Sequence, residues 1–179
     1  TRAYVEFNPF RILTKKITIN NITIYDGIIS IKHDINNTSN YNKFNKQGDG
    51  GIKLEKVKLI NSHLEYNSLY NRSSISLDCE DLTFHIDKSA NDMSITGKAF
   101  SREISIYEKN YINNKALKLN LEIQDSTNKK ILKNSTLKIN DLEFSLFGSF
   151  DNNNYMDLSF TGENHNINSI IKNTPDHLK

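Results

Sequence analysis

Leu117-Lys118-Leu119-Asn120-Leu121-Glu122-Ile123 decides the fold class, because every second residue is apolar and every residue between is polar. A period of two puts successive side chains on opposite faces of an extended chain, so this stretch reads as a strand with one buried and one wet face. The same period runs outward in both directions. Upstream it appears at Ile17, Ile19, Ile22 and Ile24, at Ile29 and Ile31, and at Val57 and Leu59. It continues through Leu64 and Tyr66, Ile75, Leu77 and Cys79, then Leu82, Phe84 and Ile86, then Met93 and Ile95. Downstream it appears at Leu137 and Ile139, at Leu142, Phe144 and Leu146, and at Leu158 and Phe160. The expectation is an all-β chain, a mostly antiparallel curved sheet of repeated hairpins closing into a groove or a sandwich. Only two prolines interrupt it, which suits long ladders, since proline lacks the donor a central strand needs.

Two turn signals predict hairpins: Tyr25-Asp26-Gly27 between Ile24 and Ile29, and Asn61-Ser62 between Leu59 and Leu64. A single helix is expected from Ile167 to Asn173, with Asn166 as its N-cap and Pro175 just beyond its end. One irregular pattern recurs. Ile17-Thr18-Ile19-Asn20-Asn21-Ile22-Thr23-Ile24, Leu77-Asp78-Cys79-Glu80-Asp81-Leu82-Thr83-Phe84 and Leu137-Lys138-Ile139-Asn140-Asp141-Leu142-Glu143-Phe144 each slip the apolar phase by one residue at a polar pair. Such a slip would turn the apolar set to the other face unless a β-bulge or a tight turn absorbs it. The stretch 36–51, rich in Asn and Gly, reads as a mobile crossover loop within one segment spanning residues 1–179.

The composition narrows the functional classes. Twenty-three basic and twenty-one acidic residues are interspersed, leaving a net charge of +2, so no basic stripe exists for nucleic acid. The lone Cys79 rules out an intrachain disulfide framework and a cysteine-ligated zinc site, and it alternates with Ile75 and Leu77 as a small core residue. His33, His63, His85, His165 and His177 stand too far apart to form a short-spaced ligand pair. Asp78, Glu80 and Asp81 cluster as a solvated strand edge, and Asp151-Asn152-Asn153-Asn154 lacks the glycine and closing glutamate of a calcium loop. Gly48-Asp49-Gly50-Gly51 matches neither nucleotide-binding fingerprint. No catalytic residues, metal or cofactor are expected, and the chain reads as non-enzymatic.

Several stretches resemble one family. Tyr4-Val5-Glu6-Phe7-Asn8-Pro9-Phe10, Ile17 to Gly27 and Asn40-Tyr41-Asn42 look like the opening region of AsmA-like envelope proteins of Bacteroidetes-type bacteria. Leu54 to Tyr66 is similar to a hairpin motif that recurs there, with Ser62 where glycine is usual. Leu142 to Asp151 and Asp157 to Gly162, followed by Ile167, Ile170, Ile171 and Pro175, resemble the family's later strands and short helix. Lys172-Asn173-Thr174 departs from its usual apolar run. The resemblance implies a periplasmic protein held at the inner membrane by an anchor outside this chain, with envelope proteins as further partners. It also implies that an apolar sheet face carries phospholipid acyl chains between membranes. On that reading the lipid-facing residues are Ile17, Ile19, Leu59, Leu64, Leu117, Leu119, Leu121, Phe144 and Leu146. A structural or adhesive β-sandwich module of a surface protein is the other reading, with Tyr66, Tyr70, Tyr107 and Tyr111 as its aromatic candidates. Because neither end carries a proline or dense charge to blunt a sheet edge, the native protein is expected to continue in both directions.

Overall fold

A computed structural model describes residues 1–7, 19–40, 55–87, 90–126, 128–151, 155–163 and 166–175. Within them the chain forms ten strands and one helix. The strands are β1 (Arg2–Phe7), β2 (Ile19–Tyr25), β3 (Ile28–His33), β4 (Lys56–Ser68) and β5 (Ser73–Asp87). They continue as β6 (Asp92–Ile106), β7 (Lys109–Asp125), β8 (Lys129–Ile139), β9 (Leu142–Asp151) and β10 (Met156–Thr161), followed by helix α1 (Ile167–Asn173). All ten strands belong to a single open, curved sheet in the order β1-β2-β4-β5-β6-β7-β8-β9-β10, with β3 also paired to β4. From β4 to β10 the sheet is an antiparallel meander, which follows from short turns joining strands of period two.

The first predicted hairpin is not one. Asp26-Gly27 does not reverse the chain: β2 and β3 lie end to end, both parallel to β4, with Asn21–Tyr25 beside Lys56–Ile60 and Ile28–His33 beside His63–Ser68. Asp26 takes a left-handed φ of 50°, which offsets the chain by one step and lets it continue in the same direction. The second predicted hairpin is also absent. Asn61 sits within the continuous strand β4 at φ 46°, opposite Glu80, and β4 and β5 keep their register across it. A hairpin would have required β5 to begin near Ser62. It begins instead at Ser73, beyond the loop 69–72.

The phase slips are absorbed in both of the expected ways. The register shifts opposite Asn20, between β1 and β2, and again at Glu80, between β5 and β6, so two of the polar pairs are bulges. Asn140-Asp141 is a tight turn that closes β8 onto β9, with Asn140 at φ 53°. Helix α1 starts as expected: Asn166 Oδ1 accepts the Asn168 N–H at 2.8 Å, and Thr174 ends it before Pro175. Of the predicted loop 36–51, residues 36–40 fold back along β3 around Asp34, whose carboxylate accepts the N–H groups of Asn36 and Thr38. Residues 41–51 lie outside the described residues.

The core is one-sided. Leu59, Leu77, Cys79, Leu82, Ala99, Leu117, Leu137 and Leu146 are buried in one cluster. Half-buried Ile24, Val57, Leu64, Phe84, Ile95 and Phe144 pack around it. Cross-strand pairing explains the continuity, because Leu59↔Leu82, Leu64↔Leu77, Ala99↔Leu117 and Leu119↔Leu137 place apolar residues in rows that run across the sheet. The facing positions on the other side carry Lys58, Thr83, Asp78, Lys98 and Lys118. Among the described residues, elements in extensive contact are ladder neighbours, and no second sheet lies over the apolar face.

Candidate functional site

Seven of the nine residues predicted on the apolar face are described with their side chains, and all seven fall in the one-sided cluster. Leu59, Leu117 and Leu146 are buried; Leu64, Leu119, Leu121 and Phe144 are half-buried against them. Ile19 lies in β2 opposite Phe7, and Ile17 is outside the described residues. The alternation that identified these residues also marks Leu82, Ile95, Leu137 and Ile123, which complete the rows. At the end of the sheet where β5 turns into β6, this face opens into a cavity of about 420 Å³. Ile86, Met93 and Ile123, paired across three strands, form its floor, while Asp87, Asp92, Asp125 and Lys130 stand at its rim. An apolar floor with a charged rim accepts a chain that is hydrocarbon along its length and polar at one end.

Two buried serines follow left-handed asparagines within strands of this sheet. Ser62 follows the left-handed Asn61 and is 3% exposed; its Oγ accepts the Gly27 N–H at 3.2 Å and points its proton at the Ile60 and Ile24 carbonyls. Ser135 follows the left-handed Asn134 and is 2% exposed; its Oγ accepts the Glu122 N–H at 2.9 Å and faces the Lys133 and Glu122 carbonyls. At Asn134 the extra residue of β8 removes a ladder acceptor and the Ser135 hydroxyl replaces it, whereas at Ser62 β4 keeps its register and the hydroxyl ties it to the joint between β2 and β3. Each Asn-Ser pair therefore has a structural use, and serine at position 62 does what a bare glycine could not.

The polar face carries the densest set of ionisable groups. His63 Nδ1 lies 2.7 Å from Asp78 Oδ1, and its Nε2 stands 3.4 Å from both Ser76 Oγ and Glu65 Oε1. Arg102 Nε donates to the other Asp78 oxygen at 2.7 Å, and this bond holds the Asp78 carboxyl below its ordinary range. Glu80 pairs with Lys98 and Asp81 with Lys58. A serine, a histidine and a carboxylate in sequence suggest nucleophilic chemistry, but Ser76 and Glu65 share the same ring nitrogen. His63↔Asp78 and Glu65↔Ser76 are direct cross-strand neighbours, and the hydrogen bond between His63 and Asp78 supports the pairing of β4 with β5. Cys79 is buried, and burial pushes its thiol up to about 11, away from nucleophilic use. Among the described residues no cluster has metal-binding geometry, and no helix is long and apolar enough to cross a membrane.

The aromatic candidates do not form one platform. Tyr66 is half-buried against His33, with ring centroids 5.6 Å apart, whereas Tyr70 and Tyr107 stand exposed at two hairpin tips and Tyr111 lies further along β7. No family model, curated protein or solved structure matches this chain.

Proposed function

We propose that the apolar face of this sheet holds phospholipid acyl chains, as the resemblance to AsmA-like envelope proteins implies, and that the chain works without catalysis. One observation carries the reading. A ten-stranded sheet presents a continuous apolar face with no second layer over it among the described residues, and that face runs into an open, charge-rimmed cavity. An apolar sheet face must be covered by another layer or by a ligand. A curved sheet bent by bulges provides length for an acyl chain, and the net acidic rim suits the cationic end of a zwitterionic headgroup. The sandwich module, by contrast, calls for two packed sheets. A place in the periplasm and transfer between membranes belong to the same proposal and rest on the resemblance.

The test is a thermal melt with and without a short-chain phosphatidylcholine below its micelle concentration. A ligand bound only to the folded chain raises the midpoint with concentration. Leu119→Asp with Leu121→Asp, which places charge on half-buried positions of the apolar face, should abolish the rise, while Thr83→Asp on the polar face should leave it intact. An unchanged midpoint at saturating lipid, with the protein folded, defeats the proposal.

A further inference from the structure

Strand β3 lies at a margin of the sheet, and its sequence makes that margin adhesive. Ile28-Ile29-Ser30-Ile31 is a run of high β propensity without charge, and Ile28 is 75% exposed. Among the described residues β4 is the one strand that pairs with β3, through a parallel ladder that ends with the Leu69 N–H on the His33 carbonyl. That ladder uses one side of β3. Main-chain groups along the other side of such a strand are a template for a strand of another chain.

The residues that follow β3 close this other side. The chain folds back at Asp34, so that Ser39 bridges to His33 and Asn40 comes to lie beside Ser30 and Lys32. Asn40 Oδ1 accepts the Lys32 N–H at 3.0 Å, and its Nδ2 donates to the Ser30 carbonyl at 2.8 Å. Its own backbone N–H donates to the Lys32 carbonyl at 3.0 Å. A primary amide carries the same donor and acceptor as a peptide group, so one side chain makes two of the bonds that a neighbouring strand would make. It does so without supplying a further edge. The turn is held by other residues. Asp34 Oδ1 accepts the Asn36 and Thr38 N–H groups at 2.9 and 2.8 Å, Asn37 takes a left-handed φ of 59°, and Asn37 Oδ1 lies 2.9 Å from His33 Nδ1. Asn40 is therefore delivered to the edge by a preorganised loop.

We propose that Asn40 is an edge guard: it occupies the Ser30–Lys32 stretch of β3 and keeps β3 of one copy of this chain from pairing with β3 of a second copy. This role is independent of whether the apolar face holds acyl chains. The experiment is sedimentation velocity of the whole chain and its variants over a range of concentrations. Asn40→Ala should shift the boundary from the parent's position toward dimers and larger species as the concentration rises. Asn40→Asp, which sets a second acceptor against the Ser30 carbonyl, should do the same. Asn36→Ala, in the same turn but using only its backbone there, should sediment as the parent does. Asn40→Ala combined with Ile28→Lys should return to the parent's position, because a lysine on an edge strand opposes pairing. All variants keep the apolar face, so association through that face appears equally in the parent. The three positions are exposed, and circular dichroism verifies that each variant keeps its strands. An Asn40→Ala chain that sediments as the parent at every concentration overturns the proposal. Association that the added lysine leaves unchanged overturns it too, since it then runs through another surface. Loss of strand content in Asn40→Ala would mean that the residue holds the fold rather than guards an edge, and the proposal fails on that result as well.

Discussion

Replacing Ser135 by alanine tests whether a hydroxyl holds the bulge. The Oγ is the acceptor for Glu122 N–H at 2.9 Å, within a residue only 2% exposed, so water cannot easily take its place. Leaving a buried donor unsatisfied costs about 1–3 kcal/mol, more than the net worth of the bond itself. With a urea m-value of about 2 kcal/mol per M, the midpoint should fall by roughly 0.5–1.5 M. Ser62→Ala should behave alike, because its Oγ accepts the Gly27 N–H in the same geometry. Strands β4 and β8 are four ladder spacings apart, roughly 19 Å, so the two losses should add to within about 0.5 kcal/mol in the double variant. Asn134→Gly, which keeps the left-handed φ of 41° without strain, should be close to neutral, whereas Asn134→Ala should cost about 1 kcal/mol. The assay is equilibrium urea unfolding followed by far-ultraviolet circular dichroism and by tyrosine fluorescence, since the chain has no tryptophan. Two serine variants that each unfold within about 0.5 kcal/mol of the parent would refute the idea that these hydroxyls complete the ladder.

Gly97→Ala and Gly148→Ala should each cost about 2–4 kcal/mol or prevent folding, since both glycines sit at φ +134° and an added Cβ would lie 1.8 Å from the Asp81 carbonyl or 1.9 Å from that of Asp157; thermal melts of the two variants check this. Asp78→Asn should matter at pH 7 and cease to matter in acid. The bond from Arg102 holds the folded carboxyl below the ordinary range of an aspartate, so its stabilisation is complete above that range and vanishes as the pH falls through the folded pKa; paired melts at pH 7 and in strong acid read it directly. Cys79 should resist a maleimide at pH 8 in the folded chain and react at once in urea, because burial lifts its thiol to about 11; fast labelling of the native protein would contradict the assigned burial.

The strands were legible because alternation is a local property. Leu117 to Ile123 sits within a strand seventeen residues long, and the helix announced itself through Asn166 and Pro175. The seven described face residues were legible for the same reason: one apolar face implies one cluster. The partners of β2 and β3 were not. Asp26-Gly27 has the composition of a hairpin turn, yet one left-handed residue and a buried glycine serve equally well to offset a strand that keeps its direction. The choice depends on β4, thirty residues away, whose edge accepts both segments in parallel. The polar chain His63–Asp78–Arg102 was equally hidden, because Asp78 meets His63 on one side and Arg102 on the other only after β4, β5 and β6 take their register.

The recurring octapeptide carries this point further. Leu77 to Phe84 and Leu137 to Phe144 have the same apolar phase slip at an acidic or amide pair, and one stays in a strand while the other reverses the chain. Backbone preference does not separate them, since Asn and Asp suit both outcomes. What differs is the company on either side. Glu80 lies midway along β5, between β4 and β6, which both run on beyond it; reversing there would leave half of each neighbour's ladder bonds unmade. Asn140 lies where β8 has a single inner neighbour, β7, and it still bonds Ala116 through both its backbone N–H and its side chain as the chain turns away. The upper part of β7 is left without β8 beyond that point, and α1 is fastened beside it through Lys115 and Asn140. The turn thus fixes where the helix sits and which way its isoleucines look. A residue pair that is interchangeable in sequence decides, through its ladder neighbours, whether the apolar face continues or a new surface begins.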